Sequence, residues 1–230
     1  MNPNRTIISR RDRPAKEPLS HELIVKTAYE LLKEEGISGM SMRKVAKALD
    51  TGPSSLYVYV KNLHELSSYV ADYGLGELIL PELTDDNWKE QLYRALDAYV
   101  MLLIEQPGLA ELSFRAIPVG TNAFRLSEHL LAILNKGGIA STSAAWGMDL
   151  LLLYVSSFAF ERAARAKDGD DEQMVATKNY YQASDPIRFP FIHSLKEELF
   201  SGDTVSNERF YWGIETIVNG ILQANSLQRS

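Results

Sequence analysis

Cysteine is absent from all 230 residues, which removes disulfides, thiolate metal sites and cysteine nucleophiles together. Histidine is nearly as scarce. His21, His64, His129 and His193 are scattered along the chain and suggest no metal centre. Phosphate-binding glycine motifs are missing as well. Gly74-Leu75-Gly76 is followed by Ile79 where a dinucleotide fingerprint needs glycine, and neither a P-loop nor a Gly-x-Ser-x-Gly elbow occurs. An enzyme is not expected, and no cofactor or metal is implied. The longest apolar run, Ala144 to Phe160, is interrupted by Gly147, Asp149, Ser156 and Ser157. It is also shorter than the roughly 20 residues that cross a bilayer, so a buried helix is expected rather than a membrane span. The first residues, Met1-Asn2-Pro3-Asn4-Arg5, lack the apolar stretch of a secretory signal. The expected location is cytoplasmic.

What is present is ordinary in amount and uneven in place. Hydrophobic residues make up 45% and charged residues 23%, enough apolar content for a sizeable core. The formal charge of −6 conceals an asymmetry. Residues 1–63 hold 11 Lys/Arg against 7 Asp/Glu, a net of +4, and residues 64–230 hold 13 against 23, a net of −10. A basic N-terminal quarter on an acidic body points to a polyanion-facing module, although a solvated tail gives the same count.

The pattern of apolar residues is helical almost throughout. Residues 1–18 read as a flexible basic arm. Leu23, Ile24, Thr27, Ala28, Leu31 and Leu32 then form one stripe of a helix, with Ser20 placed as its N-cap and Gly36 as its stop. A second short helix fits Met42 to Leu49, capped by Ser41, and Asp50-Thr51-Gly52 makes a turn. The run Leu56 to Val60 is β-branched and aromatic enough for a strand. An isolated strand among helices would lack a ladder partner, so the context predicts a short helix begun at Pro53. Further helices are expected at roughly 62–78, 86–106, 109–116, 119–136, 142–166, 186–200 and 206–226, with a polar loop over Lys167 to Ala183. The fold class is all-α.

Residues 20–65 contain a helix, a short helix, a turn and another short helix, which is the pattern of a helix-turn-helix with its supporting helix. In that unit the second short helix enters the major groove. Arg43 and Lys44 suit phosphates or a guanine edge, and Ser54, Ser55, Tyr57, Tyr59 and Lys61 offer donors on and after the next helix. A solvated helical hairpin would carry similar residues.

The run Ser41-Met42-Arg43-Lys44-Val45-Ala46-Lys47-Ala48-Leu49, then Ser55-Leu56-Tyr57-Val58-Tyr59-Val60-Lys61-Asn62-Leu63-His64-Glu65-Leu66, closely resembles the tetracycline-repressor (TetR) family. The preceding Ala28 to Gly39 matches that family's first helix and glycine turn, and Phe210 to Ile221 resembles the last helix of its tetracycline-binding branch. The resemblance implies a homodimeric regulator of transcription, usually a repressor. It implies an N-terminal three-helix DNA-binding domain (residues 19–65) and a larger helical effector-binding and dimerisation domain (residues 66–230). By position, Ser41, Met42 and Arg43 on the first short helix would meet double-stranded operator DNA, beside the Lys44 already singled out for its charge. Pro53, Ser54, Ser55, Tyr57 and Tyr59 match the recognition helix, and Lys61 a phosphate-binding lysine. Two departures separate the chain from the tetracycline branch. Pro53 stands where an amide-bearing residue begins the recognition helix, and Ser113 aligns with the magnesium-ligating histidine, while Glu161 aligns near an acidic position of that branch. A metal–tetracycline complex is therefore not the expected effector, and the aromatic, mostly uncharged candidate lining given next favours a flat or lipophilic small molecule.

For that effector the candidate lining is Tyr99, Phe114, Phe124, Trp146, Tyr154 and Phe158 with the polar His129, Ser157 and Glu161. Most of these aromatics could equally be core. For the dimer, Leu151, Ile214, Ile217, Val218 and Ile221 lie on two long apolar helices suited to a four-helix interface with a twin subunit. The rival functional readings are a helical small-molecule-binding protein or enzyme whose hairpin does not read DNA, and an activator or architectural binder without an effector. No membrane partner is expected.

Overall fold

The computed structural model describes residues 18–84, 87–168, 171–201 and 207–227. Residues 1–17, which hold nearly all of the expected arm, lie outside them. Every regular element among the described residues is helical: α1 (His21–Glu35), α2 (Met42–Ala48), α3 (Pro53–Leu56), α4 (Leu63–Leu75), α5 (Trp88–Glu105), α6 (Pro107–Arg115), α7 (Thr121–Lys136), α8 (Ser141–Asp168), α9 (Asp171–Gln182), α10 (Pro190–Ser194) and α11 (Glu208–Leu227), with single 3₁₀ turns at Ile37–Gly39 and Glu198–Phe200.

Local chemistry sets the ends of the first helices. Ser20 Oγ accepts the Leu23 N–H, and Gly36 ends α1 at φ 68°, a left-handed conformation that glycine tolerates best. Ser41 caps α2 by accepting from the Lys44 N–H, and Asn62 caps α4 by accepting from the Glu65 N–H. Proline at the start of α3 supplies the helical φ without needing a backbone partner.

Two apolar clusters organise the chain. The smaller joins Ile24, Val25, Ala28, Tyr29 and Leu32 of α1 to Val45 and Ala46 of α2, Leu56 of α3, and Leu66, Val70 and Ala71 of α4. It also takes in Leu112 and Ala116, from and just after α6. The larger draws on α5, α7, α8 and α11, with Leu92, Leu96, Leu103, Leu130, Leu151, Val155 and Ile214 buried at its centre. Helix α4 contributes to both, Leu66 and Val70 to the first and Leu75 to the second. It therefore joins the expected reader (α1–α3) to the helices of the larger cluster, the body.

Residues Ser141–Arg165 of α8 are long and apolar enough to cross a membrane by length and composition. In the fold this stretch packs against α5, α6, α7 and α11. Helices α8 and α11 meet through small residues, Gly147 against Ile221 and Gly213 against Tyr154. Asn225 near the end of α11 is buried, accepts the Ala140 N–H at 2.7 Å and donates to Gly138 O, tying α11 to the α7–α8 turn.

Two expected elements differ. The polar stretch from Lys167 is not a loop: α8 continues to Asp168, and Asp171–Gln182 forms α9. Glu, Gln, Met, Ala and Lys favour helix without an apolar stripe to advertise it. The single helix expected at 186–200 is broken into α10 and a 3₁₀ turn. Pro186 and Pro190 each lack an N–H and disfavour helix in the residue before, and Asp185 instead turns the chain by accepting the Ile187 N–H at 2.8 Å.

Candidate nucleic-acid interface and effector cavity

On the reader surface, Arg43 and Lys44 of α2, Pro53 and Ser54 of α3, and Tyr57, Tyr59 and Lys61 after it are exposed, while Ser41 and Ser55 are half-buried. Met42 is different. It is buried in the reader's apolar cluster, on the same inward side of α2 as Val45 and Ala46. Several of the exposed groups already have partners. Lys44 Nζ lies 2.5 Å from Glu35 Oε2, and the Tyr59 hydroxyl donates to Leu19 O at 2.7 Å. Lys61 Nζ lies 3.8 Å from Glu65. Arg43 and Tyr57 extend from the surface, and so does Val58, which no polar or charge pattern marked in the sequence; it is 80% exposed. α3 is one turn long, so the chain past Leu56 forms the outer edge of this face.

The body holds a cavity of about 400 Å³ between α4, α5, the end of α6, the α6–α7 connection, α7 and α8. Its apolar wall is formed by Leu75, Ala116, Ile117, Leu126, Met148 and Leu152, and its polar stations by Tyr99, Ser113, Arg115, Ser127, Asp149 and Ser156. Tyr99 and Ser156 are hydrogen-bonded at 3.0 Å, both buried. Burial pushes the Tyr99 hydroxyl above its usual range, with Ser156 and Ser113 opposing that shift, so it serves as a neutral hydrogen-bonding group. Arg115 faces Glu111 at 2.8 Å, leaving the cavity without a concentrated positive charge.

Of the nine residues expected to line a cavity, this one contains Tyr99 and Phe114. Phe114 also stacks on Phe160 at 5.1 Å. Ser157 and Glu161 are exposed, and Glu161 pairs with Arg165. Phe124 and Trp146 are surface residues, 74% and 71% exposed. Tyr154 and Phe158 pack on Phe210 between α8 and α11. His129 is half-buried and not in the lining. One helical step separates Ser157 from Ser156, and that rotation of about 100° carries a hydroxyl from solvent into the cavity.

The five dimer candidates are likewise turned inward. Leu151, Ile214, Val218 and Ile221 are buried, and Ile217 packs partly buried on the same cluster. This single chain already covers that stripe by seating α11 on α8. The most exposed large apolar side chains on these helices are Trp146, Leu150 and Leu153 of α8 and Trp212 of α11, and Leu153 also lines the cavity.

Comparison with known proteins accords with this architecture. Residues 24–62 match the model for bacterial regulatory proteins of the tetR family, and residues 80–224 match the tetracyclin repressor-like C-terminal domain. ActR from Streptomyces coelicolor, solved without ligand, is 31% identical with a TM-score of 0.80, over 90% of this chain and 98% of that one. The same protein in complex with actinorhodin aligns over 91% and 99% with a TM-score of 0.80. The HTH-type transcriptional repressor DrrR1 of Streptomyces coeruleorubidus is 25% identical over 91% of this chain and 80% of its own length. Both halves of the chain thus match the two domains of one kind of protein, and the chain belongs to the TetR family of helix-turn-helix transcriptional regulators.

Proposed function

We propose that this regulator is a cytoplasmic repressor that holds a palindromic operator as a homodimer and releases it when a flat, largely uncharged aromatic or lipophilic molecule fills the body cavity. The observation that carries this reading is the position of the cavity. Leu75 of α4 lines it, and the first turn of α4 follows directly on Tyr57, Tyr59 and Lys61 of the reader. A ligand there presses on the helix that carries the recognition segment. Arg43, Lys44, Ser54, Tyr57 and Lys61 are the residues we assign to DNA, with Pro53, Ser55 and Tyr59 shaping the recognition helix.

The chemistry of the lining sets the effector class. A wall of Leu, Ile, Ala and Met side chains rewards apolar area, while Tyr99, Ser113, Ser127 and Ser156 can meet a few carbonyl or hydroxyl groups. ActR, whose structure is similar, has been solved with actinorhodin and with (S)-DNPA. These compounds are the natural first probes. The effector and the operator select different members of a pre-existing ensemble, DNA favouring recognition helices one helical turn apart.

A second copy of the chain would cover Trp146, Leu150 and Trp212, exposed apolar side chains on two helices packed against each other. Selection of bound duplex from a random pool tests the reading. A palindrome with half-sites roughly 10 bp apart is expected. Failure to enrich any sequence would favour a helical binding protein whose hairpin does not read DNA.

A further inference from the structure

Helix α7 begins without a cap of its own. Its N-cap residue is Gly120, which has no side chain to accept from the first backbone N–H groups, and such donors need a partner. The partner comes from another helix. Asp72 of α4 accepts the Ala123 N–H on Oδ1 at 2.7 Å. Its carboxylate also places negative charge at the positive end of α7, where a capping Asp of the helix itself would place it.

Neighbouring groups fasten the same two segments. Asn122 Nδ2 donates to Asp72 O at 3.1 Å and approaches Oδ2 at 3.4 Å. The Val119 N–H donates to Ser68 O at 3.2 Å, one turn earlier on α4. Gly120 is required by closeness rather than by backbone angle, since a Cβ there would stand 2.2 Å from Asp72 Oδ2. The segment 119–123 therefore cannot slide along α4 without breaking charge-assisted hydrogen bonds.

This fastening sits at the rim of the cavity. Ala123, whose N–H Asp72 holds, is a lining residue, and Leu75, one turn beyond Asp72 on α4, is another. At the opposite end α4 is tied to the recognition segment. Asn62 Oδ1 accepts the Glu65 N–H at 2.8 Å, and Glu65 accepts the Lys61 N–H at 2.5 Å. Leu66 and Val70 are buried among α1–α3.

We propose that Asp72 is the positioning residue of the effector response: by capping α7 from α4 it turns displacement of the cavity rim into movement of the reader. The proposal rests on the ligand-responsive reading above and identifies the hydrogen bond through which that response travels. When the cavity fills, residues 113–127 move outward, and α4 follows because its carboxylate holds the start of α7. Without the cap, only the Asn122 and Val119 bonds to α4 carbonyls remain, and less of the rim's movement reaches α4.

The test is a double-mutant cycle that needs no identified ligand. Ser127→Trp fills the cavity with a side chain and stands in for an effector. Operator affinity of the full-length protein is measured with and without it, using a duplex obtained by selection. In the parent, Ser127→Trp weakens operator binding on the order of 5- to 150-fold, the range of allosteric coupling. In an Asp72→Ala background the same substitution weakens operator binding by a markedly smaller factor.

Gly120→Ala, which pushes the carboxylate away while keeping Asp72, gives the same uncoupling. Asp72→Asn, which keeps an acceptor oxygen but drops the charge, falls between. Circular dichroism melts establish that each background is folded. An equal loss of affinity from Ser127→Trp in parent, Asp72→Ala and Gly120→Ala overturns the assignment of Asp72. No loss in the parent overturns the cavity-to-DNA reading itself, and the proposal falls with it.

Discussion

Gly213 of α11 lies directly under the phenol of Tyr154 on α8, so that a Cβ at residue 213 would stand 2.1 Å from the hydroxyl oxygen and 2.4 Å from Cζ. The hydroxyl itself lies 3.2 Å from Arg209 O. Gly213→Ala must therefore push α11 off α8 or expel the ring. Overpacking of this kind costs about 1–3 kcal/mol. Denaturant unfolding should show that loss, and Tyr154→Ala in the same chain should recover part of it. An unaltered midpoint for Gly213→Ala would mean that the two helices are not in this register.

The reader separates its two adjacent cations. Lys44 is engaged by Glu35, whereas Arg43 projects from the surface. Arg43→Ala should reduce the slope of log affinity against log salt by about 0.9 for each phosphate that is no longer neutralised, and Lys61→Ala should do the same. Lys44→Ala should change the slope less. Equal slopes for Arg43→Ala and the parent would remove Arg43 from the interface.

Two kinds of substitution on α8 and α11 should part company. Leu150→Asp and Trp212→Asp place charge on surface that is open in the single chain, so they should yield folded monomers in sedimentation. Ile214→Asp buries an unpaired charge in the core and should cost several kcal/mol, enough to unfold the chain. A dimer undisturbed by both surface changes would place the twin subunit elsewhere.

Burial lowers the His129 pKa from its ordinary 6.5. The folded protein therefore keeps this ring neutral at a pH where the unfolded chain has protonated it. Stability from this group is complete above about pH 6.5, falls as pH drops towards the lower folded value, and levels off beneath it. His129→Gln should flatten that part of the stability–pH curve relative to the parent. Identical curves for the two proteins would count against a neutral His129.

The Tyr29 hydroxyl donates to Glu77 at 2.9 Å and also bonds Gln106, joining α1 to the segments after α4 and α5. Burial, then the Glu77 carboxylate, raise its pKa far above the usual tyrosine range. Tyr29→Phe leaves Glu77 and Gln106 without this donor and should cost about 1–3 kcal/mol. The loss should appear in the melting of the whole chain, and a second, separate reader transition would contradict the tie.

Local capping was legible because it is written in adjacent residues. Ser20, Gly36, Ser41 and Pro53 each act through their own backbone neighbours, and the family likeness of residues 41–66 added what those helices touch. The inward face of α8 was not legible. Leu150 to Leu153 are four consecutive leucines, so periodicity offers no phase, and the packing of α5, α6, α7 and α11 around the helix decides that Leu151 is buried while Leu150 and Leu153 are open. The same ambiguity hid the cavity, whose serines differ from their solvent-facing neighbours by one helical step. Asp72 carried no signal either, since a cap supplied from 51 residues away in sequence leaves no local trace.

The reader's apolar cluster closes over Leu112 and Ala116, which belong to α6 and its end, and Gly108 at the start of α6 lets that helix press against Leu32 of α1. Exchange of readers among related regulators is thus constrained by shape. A graft that transfers residues 19–65 alone onto a foreign body inherits a hydrophobic seat cut for a different helix. A transplanted reader should fold cleanly only where positions 108, 112 and 116 travel with it, because its apolar seat is cut partly from the sensing half.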